Sequence, residues 1–371
     1  MKSEVKVTFV LGGLVGGGAE RVASRLINYW VQQNYSVSLI TRLSPEHDMY
    51  AIPEVVNRDC ISDGGPSSNK IIALLKNIPL VWRLRKAIRK ANTPVVISFL
   101  TKANIQTIIA SIGLKKRVII SERSDTTREY HPWPWSLLRW VCYRFADVVT
   151  ANSEISVRDM NRYVPQKKLQ VVHNPVEFPA NKAVPGKSQE IIHVSRLEPQ
   201  KRQDLLLKAF SGIVQDKKSG WKVHLLGEGS QRKNLENYCV DLRIVEQIHF
   251  HGFVTNPYIF YKEAAIFVLT STYEGTPNAL LEALAHGLPC IVSDSLPGAM
   301  KYIDDGKNGY YFNSGDAADL IEKLTILMEN PDMRAQFGKH SVMKVENLSI
   351  EKISDQWLKI FKLDNNLLNN M

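Results

Sequence analysis

Cysteine is scarce in this sequence: four in 371 residues, at 60, 142, 239 and 290, with no CxxC pair among them. That spacing offers no zinc or iron–sulfur ligand set and no disulfide framework, and it fits a reducing compartment. Long apolar runs are missing too. Without about 18 uninterrupted apolar residues anywhere, no spanning helix is expected. Residues 7–19 (VTFVLGGLVGGGA) superficially resemble a secretory leader, but five glycines would break its apolar helix and Glu4 sits where a leader is basic. A strand running into a glycine loop is the better reading. Internal repeats and low-complexity tracts are absent as well. What is present, 44% hydrophobic and 23% charged residues, is the composition of a globular protein. The length suits two domains better than one.

Charge is unevenly spread. Residues 1–175 carry 25 Lys and Arg against 13 Asp and Glu, a net of +12, while the rest carries 22 against 24. The whole excess lies in the first half, and such a field favours an anionic partner: lipid headgroups, diphosphate lipids or nucleic acid.

Short β-rich runs alternate with helical ones. In the first half strands are expected at 5–11, 36–41, 95–99, 117–121, 147–151 and 169–172, with helices at 19–32, 71–91 and 136–145. A Pro-rich polar stretch, 174–188, reads as a linker. The pattern then restarts, with strands at 191–195, 221–226, 248–253, 266–270 and 289–293 and helices at 202–214, 231–242 and 257–264, after Thr276 and from 316. Strand–helix alternation implies α/β domains with mostly parallel, doubly wound sheets. Ligands of such sheets bind at the carboxyl ends of the strands, where the motifs below fall.

The most informative run is 274-EGTPNALLEALAHG-287. Thr276 suits an N-cap and Pro277 the first helical position, ahead of an apolar LLEALA stretch. A helix start presents backbone N–H donors and partial positive charge, a natural cradle for phosphate, and Gly275 lets a ligand approach closely. Asn278 belongs to the same turn. Glu274 and Glu282 flank it. From spacing alone they read equally as a loop acid and a solvated helix residue, or as carboxylates set beside the hydroxyl-rich part of a phosphate-bearing ligand.

The E-x7-E spacing, followed by a small-residue helix, HGLP and the strand CIVSD, resembles the signature of retaining GT-B glycosyltransferases of family four. The resemblance extends over nearly the whole chain. It implies a GT-B fold, two Rossmann-like domains facing across a cleft: residues 1–175 on the acceptor and membrane side, 189–349 holding the nucleotide sugar, and 350–371 crossing back to the first domain. It also implies that Glu274 contacts the transferred sugar and Glu282 the ribose. In 195-SRLEPQKRQD-204, Arg196 and Lys201 match the family's diphosphate-holding cations, Lys201 being preferred over Arg202 on spacing. Taken alone, each is an ordinary loop charge.

Three further runs carry weaker signals. GGLVGGGAER (12–21) is not a dinucleotide fingerprint, because Arg21 stands where GxGxxG starting at Gly16 needs glycine. It reads as a tight connection or as a loop whose backbone closely approaches a donor phosphate or the acceptor, and the resemblance of GGAER to the family's first loop favours Gly17 and Gly18 as the contacting pair. LLGEGSQR (225–232) and HGFV (251–254) resemble turns lining the family's nucleotide pocket, which nominates Glu228, Phe253 and Val254. In ISERSD (120–125) Arg123 stands where many relatives have His. An Arg cannot serve as a base near neutral pH, so an acceptor-side or phosphate-binding role is the expectation. His131, in a nearby Trp-rich loop, receives no role.

Residues 69–92 interleave apolar residues with seven Lys or Arg. This reads as a domain helix with a basic face or, together with the aromatic run YHPWPWSLLRW (130–140), as a membrane-surface contact. No nucleic-acid motif is present. Nor does any D-x-D triplet occur, so no metal cofactor is expected, and protein cations with helix dipoles take that place.

The resemblance therefore implies a retaining hexosyl- or N-acetylhexosaminyltransferase that moves sugar from a UDP-linked donor to a polyprenyl-diphosphate-linked saccharide, in lipopolysaccharide, capsule or glycan synthesis. It would be cytoplasmic and peripheral on the inner face of the plasma membrane. Two rivals stay open at this point: a GT-B epimerase of UDP-sugars, and a non-catalytic polyanion-binding module.

Overall fold

A computed structural model describes residues 5–61, 77–124, 126–127, 132–179, 188–214 and 219–362. The first part of the expected basic helix (71–76, including Lys76), Lys70 before it, most of the expected linker (180–187), His131 and the tail from 363 lie outside those residues. By internal packing the chain divides into two units, Met1–Pro175 with Ile350–Met371, and Val176–Ser349.

The first unit is built on a seven-stranded, all-parallel sheet ordered β3-β2-β1-β4-β5-β6-β7. Its strands are β1 (Lys6–Leu11), β2 (Ser36–Thr41), β3 (Asn57–Cys60), β4 (Val95–Phe99), β5 (Arg117–Glu122), β6 (Val148–Ala151) and β7 (Leu169–Val171). Between them run α1 (Gly18–Gln32), α2 (Asn77–Ala91), α3 (Thr101–Ser111), α4 (Trp133–Cys142) and α5 (Glu154–Met160). Continuous apolar runs such as VVISF form strands buried on both faces because helices cover a parallel sheet on each side.

The second unit repeats the plan with six parallel strands ordered β10-β9-β8-β11-β12-β13. These are β8 (Glu190–Val194), β9 (Lys222–Leu226), β10 (Ile248–Gly252), β11 (Ile266–Leu269), β12 (Cys290–Ser293) and β13 (Gly309–Phe312). The helices are α6 (Gln203–Val214), α7 (Arg232–Asp241), α8 (Tyr258–Glu263), α9 (Asn278–Ala285), α10 (Pro297–Met300), α11 (Ala317–Glu329) and α12 (Pro331–Val345). Strand order reverses between β8 and β11, the kind of position at whose strand carboxyl ends open α/β sheets bind ligands.

The last helix, α13 (Ile350–Lys362), packs in the first unit against α1. Ile350, Ile353, Trp357 and Ile360, at helical spacing, are its buried stripe. Trp357 stacks on Phe99 with centroids 6.0 Å apart, and Trp30 Nε1 donates to Ser354 Oγ at 2.7 Å. No helix among the described residues is long and apolar enough to cross a membrane.

Candidate functional site

The second unit gathers most of the nominated residues at the carboxyl ends of β8–β11. Backbone hydrogen bonds lace these loops together: Ser195 N donates to Leu226 O at 3.0 Å, Leu197 N to Glu228 O at 2.9 Å, and Gly227 N to Gly252 O at 2.7 Å. Gly227 is indispensable to that lacing. Its φ is +143°, and a Cβ there would lie 1.9 Å from Ser195 O.

After β8 the chain makes a single 3₁₀ turn, Pro199–Lys201, and Arg202 takes a left-handed φ of 50° before α6 begins. The turn separates two adjacent cations. Arg202 bends back to Asp204, its Nε 3.0 Å from Oδ1. Lys201 goes inward and forms a direct ion pair with Glu274, on the loop after β11, with side-chain exposures of 10% and 18%. The same Glu274 Oε1 accepts from Ser271 Oγ at 3.0 Å. The two residues assigned to leaving-group and sugar chemistry are thus in contact across the switch point, although 73 positions separate them. Arg196 is exposed, and its guanidinium makes no hydrogen bond or ion pair among the described residues.

Helix α9 starts one residue later than the sequence suggests. Its N-cap is Pro277, with no side-chain cap hydrogen bond, and Asn278 is the first helical residue. Thr276 is therefore not the cap; it is buried, like Pro277, in the turn leading in. Pro277 has a helix-compatible φ of −74° but an extended ψ of 104°, so the helix begins at Asn278 and Thr276 stands one position before the cap. Gly275 is held from behind: a Cβ on Gly298, in α10, would lie 1.7 Å from Gly275 O. Glu282 is not the solvated helix residue its spacing allowed. It is fully buried, with Oε2 accepting from Tyr261 OH at 3.2 Å.

Other pocket candidates sit at the same strand ends. Glu228 is exposed and paired with Arg232 at 2.9 Å, while Phe253 and Val254 are half-buried after β10. Among the described residues no group of three or more His, Cys, Asp or Glu is placed to hold a metal ion.

Gly17, Gly18 and Arg123 belong to the first unit. The Gly17 amide donates to Glu20 Oε2 at 3.0 Å, so a carboxylate already occupies this loop. Burial pushes the Glu20 carboxyl above its usual value, against the pull of the Gly17, Val15 and Gly16 amides.

Arg123 does not present itself to solvent as an acceptor contact would. Its guanidinium lies over the rings of Phe99 and Trp357, 4.8 and 5.4 Å from their centroids. It donates to Val172 O at 2.9 Å and Asn174 Oδ1 at 2.8 Å, and Nε and Nη2 are wholly covered. Burial lowers its pKa to about 9. In this structure Arg123 is a clamp between the ends of β5 and β7 and the C-terminal helix.

The basic helix divides by face. Leu80, Leu84, Ala87 and Ile88 of α2 are buried, and Arg85 donates to Ala110 O and Ile112 O at the end of α3, 2.8 and 2.6 Å away. Outward it shows Ile78, Trp82, Arg83, Lys86, Arg89 and Lys90. On α4 and the turn after it, Trp133, Leu137, Trp140 and Phe145 are 74%, 49%, 51% and 66% exposed. Exposed apolar side chains of this size are the feature that the expected membrane-surface contact would need.

Reading the sequence missed a polar layer beneath the pair: His193, Ser195, Gln203 and Thr270. The available signal was a histidine in the middle of the apolar strand IIHVS.

Two family models match the chain: "Glycosyltransferase Family 4" over residues 16–178 and "Glycosyl transferases group 1" over 176–342. The chain is similar to the GalNAc-α-(1→4)-GalNAc-α-(1→3)-diNAcBac-PP-undecaprenol α-1,4-N-acetyl-D-galactosaminyltransferase of Campylobacter jejuni, at 28% identity over 96% of this chain and 98% of that one. It is 33% identical to a lipopolysaccharide 1,6-galactosyltransferase of Escherichia coli over 47% of this chain and 50% of that one. Among solved structures, Anabaena Alr3699/HepE in complex with UDP and glucose superposes with a TM-score of 0.79 at 17% identity, covering 97% of this chain and 100% of that one.

Proposed function

The chain belongs to the GT-B glycosyltransferases of the family-four type, and from that premise we propose that it transfers a hexose or N-acetylhexosamine, with retention, from a UDP-sugar to a polyprenyl-diphosphate-linked saccharide. The observation that carries this reading is the half-buried Lys201–Glu274 pair at the switch point of the second unit. A diphosphate entering there replaces one anion beside Lys201 by another, and Glu274 is freed to face the sugar. Lys201, Arg196 and the start of α9 (Gly275, Thr276, Pro277, Asn278) then stabilise the charge that develops on the leaving group.

Glu228, Phe253 and Val254 are assigned to the nucleotide and Glu282 to the ribose. Because Glu282 is wholly covered, binding has to uncover it. Gly17 and Gly18 remain candidates for a phosphate, since their loop already holds the Glu20 carboxylate. The β-phosphate oxygen of the donor takes the acceptor's proton, and the site works without a metal cofactor. The acceptor class is supported by the Campylobacter relative, whose name carries an undecaprenol diphosphate, and UDP by the Anabaena complex. The enzyme sits on the inner face of the plasma membrane.

A panel of UDP-sugars, assayed for UDP release with and without membrane extract, tests the reading. Turnover should depend on the extract, survive EDTA and fall by about 10²–10³ in Arg196→Ala or Lys201→Ala. Undiminished transfer by either variant, or loss of activity in EDTA, overturns the assignment.

A further inference from the structure

We propose that His193 and Thr270 are positioning residues: a hydrogen-bond chain that holds the main chain of Lys201 so that its ammonium group meets the donor diphosphate. The proposal rests on the reading above, in which Lys201 is the diphosphate cation.

His193 is on β8, with 1% of its surface exposed, and Thr270, 2% exposed, opens the loop after β11. Thr270 Oγ1 donates to Lys201 O at 2.7 Å. Its only proton is then committed, so the imidazole nitrogen 3.3 Å away, His193 Nε2, has to donate to the hydroxyl oxygen. That fixes the tautomer and leaves Nδ1 without a proton, 3.4 Å from Ser195 Oγ, whose own hydroxyl donates to Arg196 O at 3.1 Å. Gln203 Nε2 completes the layer, donating to Ser195 Oγ at 2.9 Å and to Arg196 O at 3.0 Å. The neighbouring peptide is tied as well, because Thr272 N donates to Gln200 O at 2.8 Å.

The carbonyls of Gln200 and Lys201 are thus both held by the loop that carries Glu274, and the carbonyl of Arg196 by the layer below. A buried polar layer costs stability unless every member is paired, and pairing it specifies one backbone geometry. Lys side chains are flexible point charges. Where such a charge points depends on where its Cα is fixed, and this chain fixes it. The imidazole also stays neutral, since burial and the Lys201 charge lower its pKa to about 3. It therefore adds no competing charge under the diphosphate.

The test compares UDP, titrated by calorimetry, with uridine, titrated by ligand-observed NMR, because uridine lacks the phosphates Lys201 is to hold. Thr270→Val keeps shape and removes the hydroxyl; His193→Leu removes the donor. Each should weaken UDP about five- to tenfold and leave uridine unchanged. The double variant should be no weaker than either single one, and Thr270→Ser should restore wild-type affinity. Lys201→Ala should weaken UDP more than any of them. If His193→Leu does not fold, the Thr270→Val and Thr270→Ser pair decides alone.

Wild-type UDP affinity in Thr270→Val, equal losses for UDP and uridine, or independent multiplying losses overturn the proposal while leaving the Lys201 assignment intact. A wild-type protein that does not bind UDP, or a Lys201→Ala protein that binds it normally, overturns the reading beneath.

Discussion

At the scale of single residues, burial decides what the charged groups can do. His193 has a folded-state pKa of about 3 against an ordinary 6.5. Between those values the unfolded chain takes up a proton that the folded chain refuses. Stability from this group is therefore complete above pH 6.5 and drains away as the pH falls toward 3, by up to about 1.4 kcal/mol per pH unit. Melting temperature measured from pH 7 down to pH 5 should drop less steeply in His193→Leu than in the wild type. Parallel slopes would mean that the imidazole is protonated in the folded protein after all. Arg123 is the converse case, a cation kept inside with no carboxylate partner among the described residues and steadied by two aromatic faces and two neutral acceptors. Its burial is why a position that reads as acceptor-side in sequence acts as an internal clamp in this structure.

Among the elements, the C-terminal helix and the loop after β11 depend on close contact. Trp357 is fully buried among Phe99, Phe361 and the Arg123 guanidinium. Trp357→Ala should cost about 3–5 kcal/mol by leaving a large cavity, read as an early urea transition with loss of amide protection in α1. A cost below about 1 kcal/mol would show that α13 is not integral to the first unit. Gly298→Ala makes a narrower demand. The added methyl collides with Gly275 O, so the 274–276 loop must move: kcat should fall at least tenfold, alongside a stability loss of about 1–3 kcal/mol from overpacking. Unchanged kcat would mean that the loop position is not critical.

Strands such as VVISF and CIVS were legible because their apolar runs are short, continuous and bounded by turns. β3 (NRDC) was not, being a half-buried edge strand with no apolar signal, nor β13 (GYYF), which opens with glycine. α3 follows β4 after a single residue, Leu100, whose φ of 75° makes the sharp turn that no local pattern announces. Sequence nominated Lys201 and Glu274 separately, whereas their pairing depends on strand order. The layer beneath them, being a set of long-range hydrogen bonds, left only the histidine in β8 as a trace.

For the molecule as a whole, the asymmetry of charge and the exposed aromatic side chains point the same way. The first 175 residues hold a net +12, and Trp82, Trp133, Trp140 and Phe145 stand out from their helices or the turn beside them in that unit. Indole rings favour the headgroup region of a bilayer, and each Lys or Arg near an anionic surface adds about 1 kcal/mol, screened within a Debye length. On the proposed function, the two together would hold the protein at an anionic leaflet that carries a polyprenyl-linked acceptor. The protein should co-float with phosphatidylglycerol-containing vesicles at about 0.1 M salt, detach at about 0.5 M, and bind neutral phosphatidylcholine vesicles weakly. Trp133→Ser with Trp140→Ser should lower vesicle binding several-fold while leaving UDP affinity unchanged, because UDP is assigned to the other unit. Equal binding to neutral and anionic vesicles would remove the electrostatic half of the argument. Undiminished binding by the double variant would remove the aromatic half.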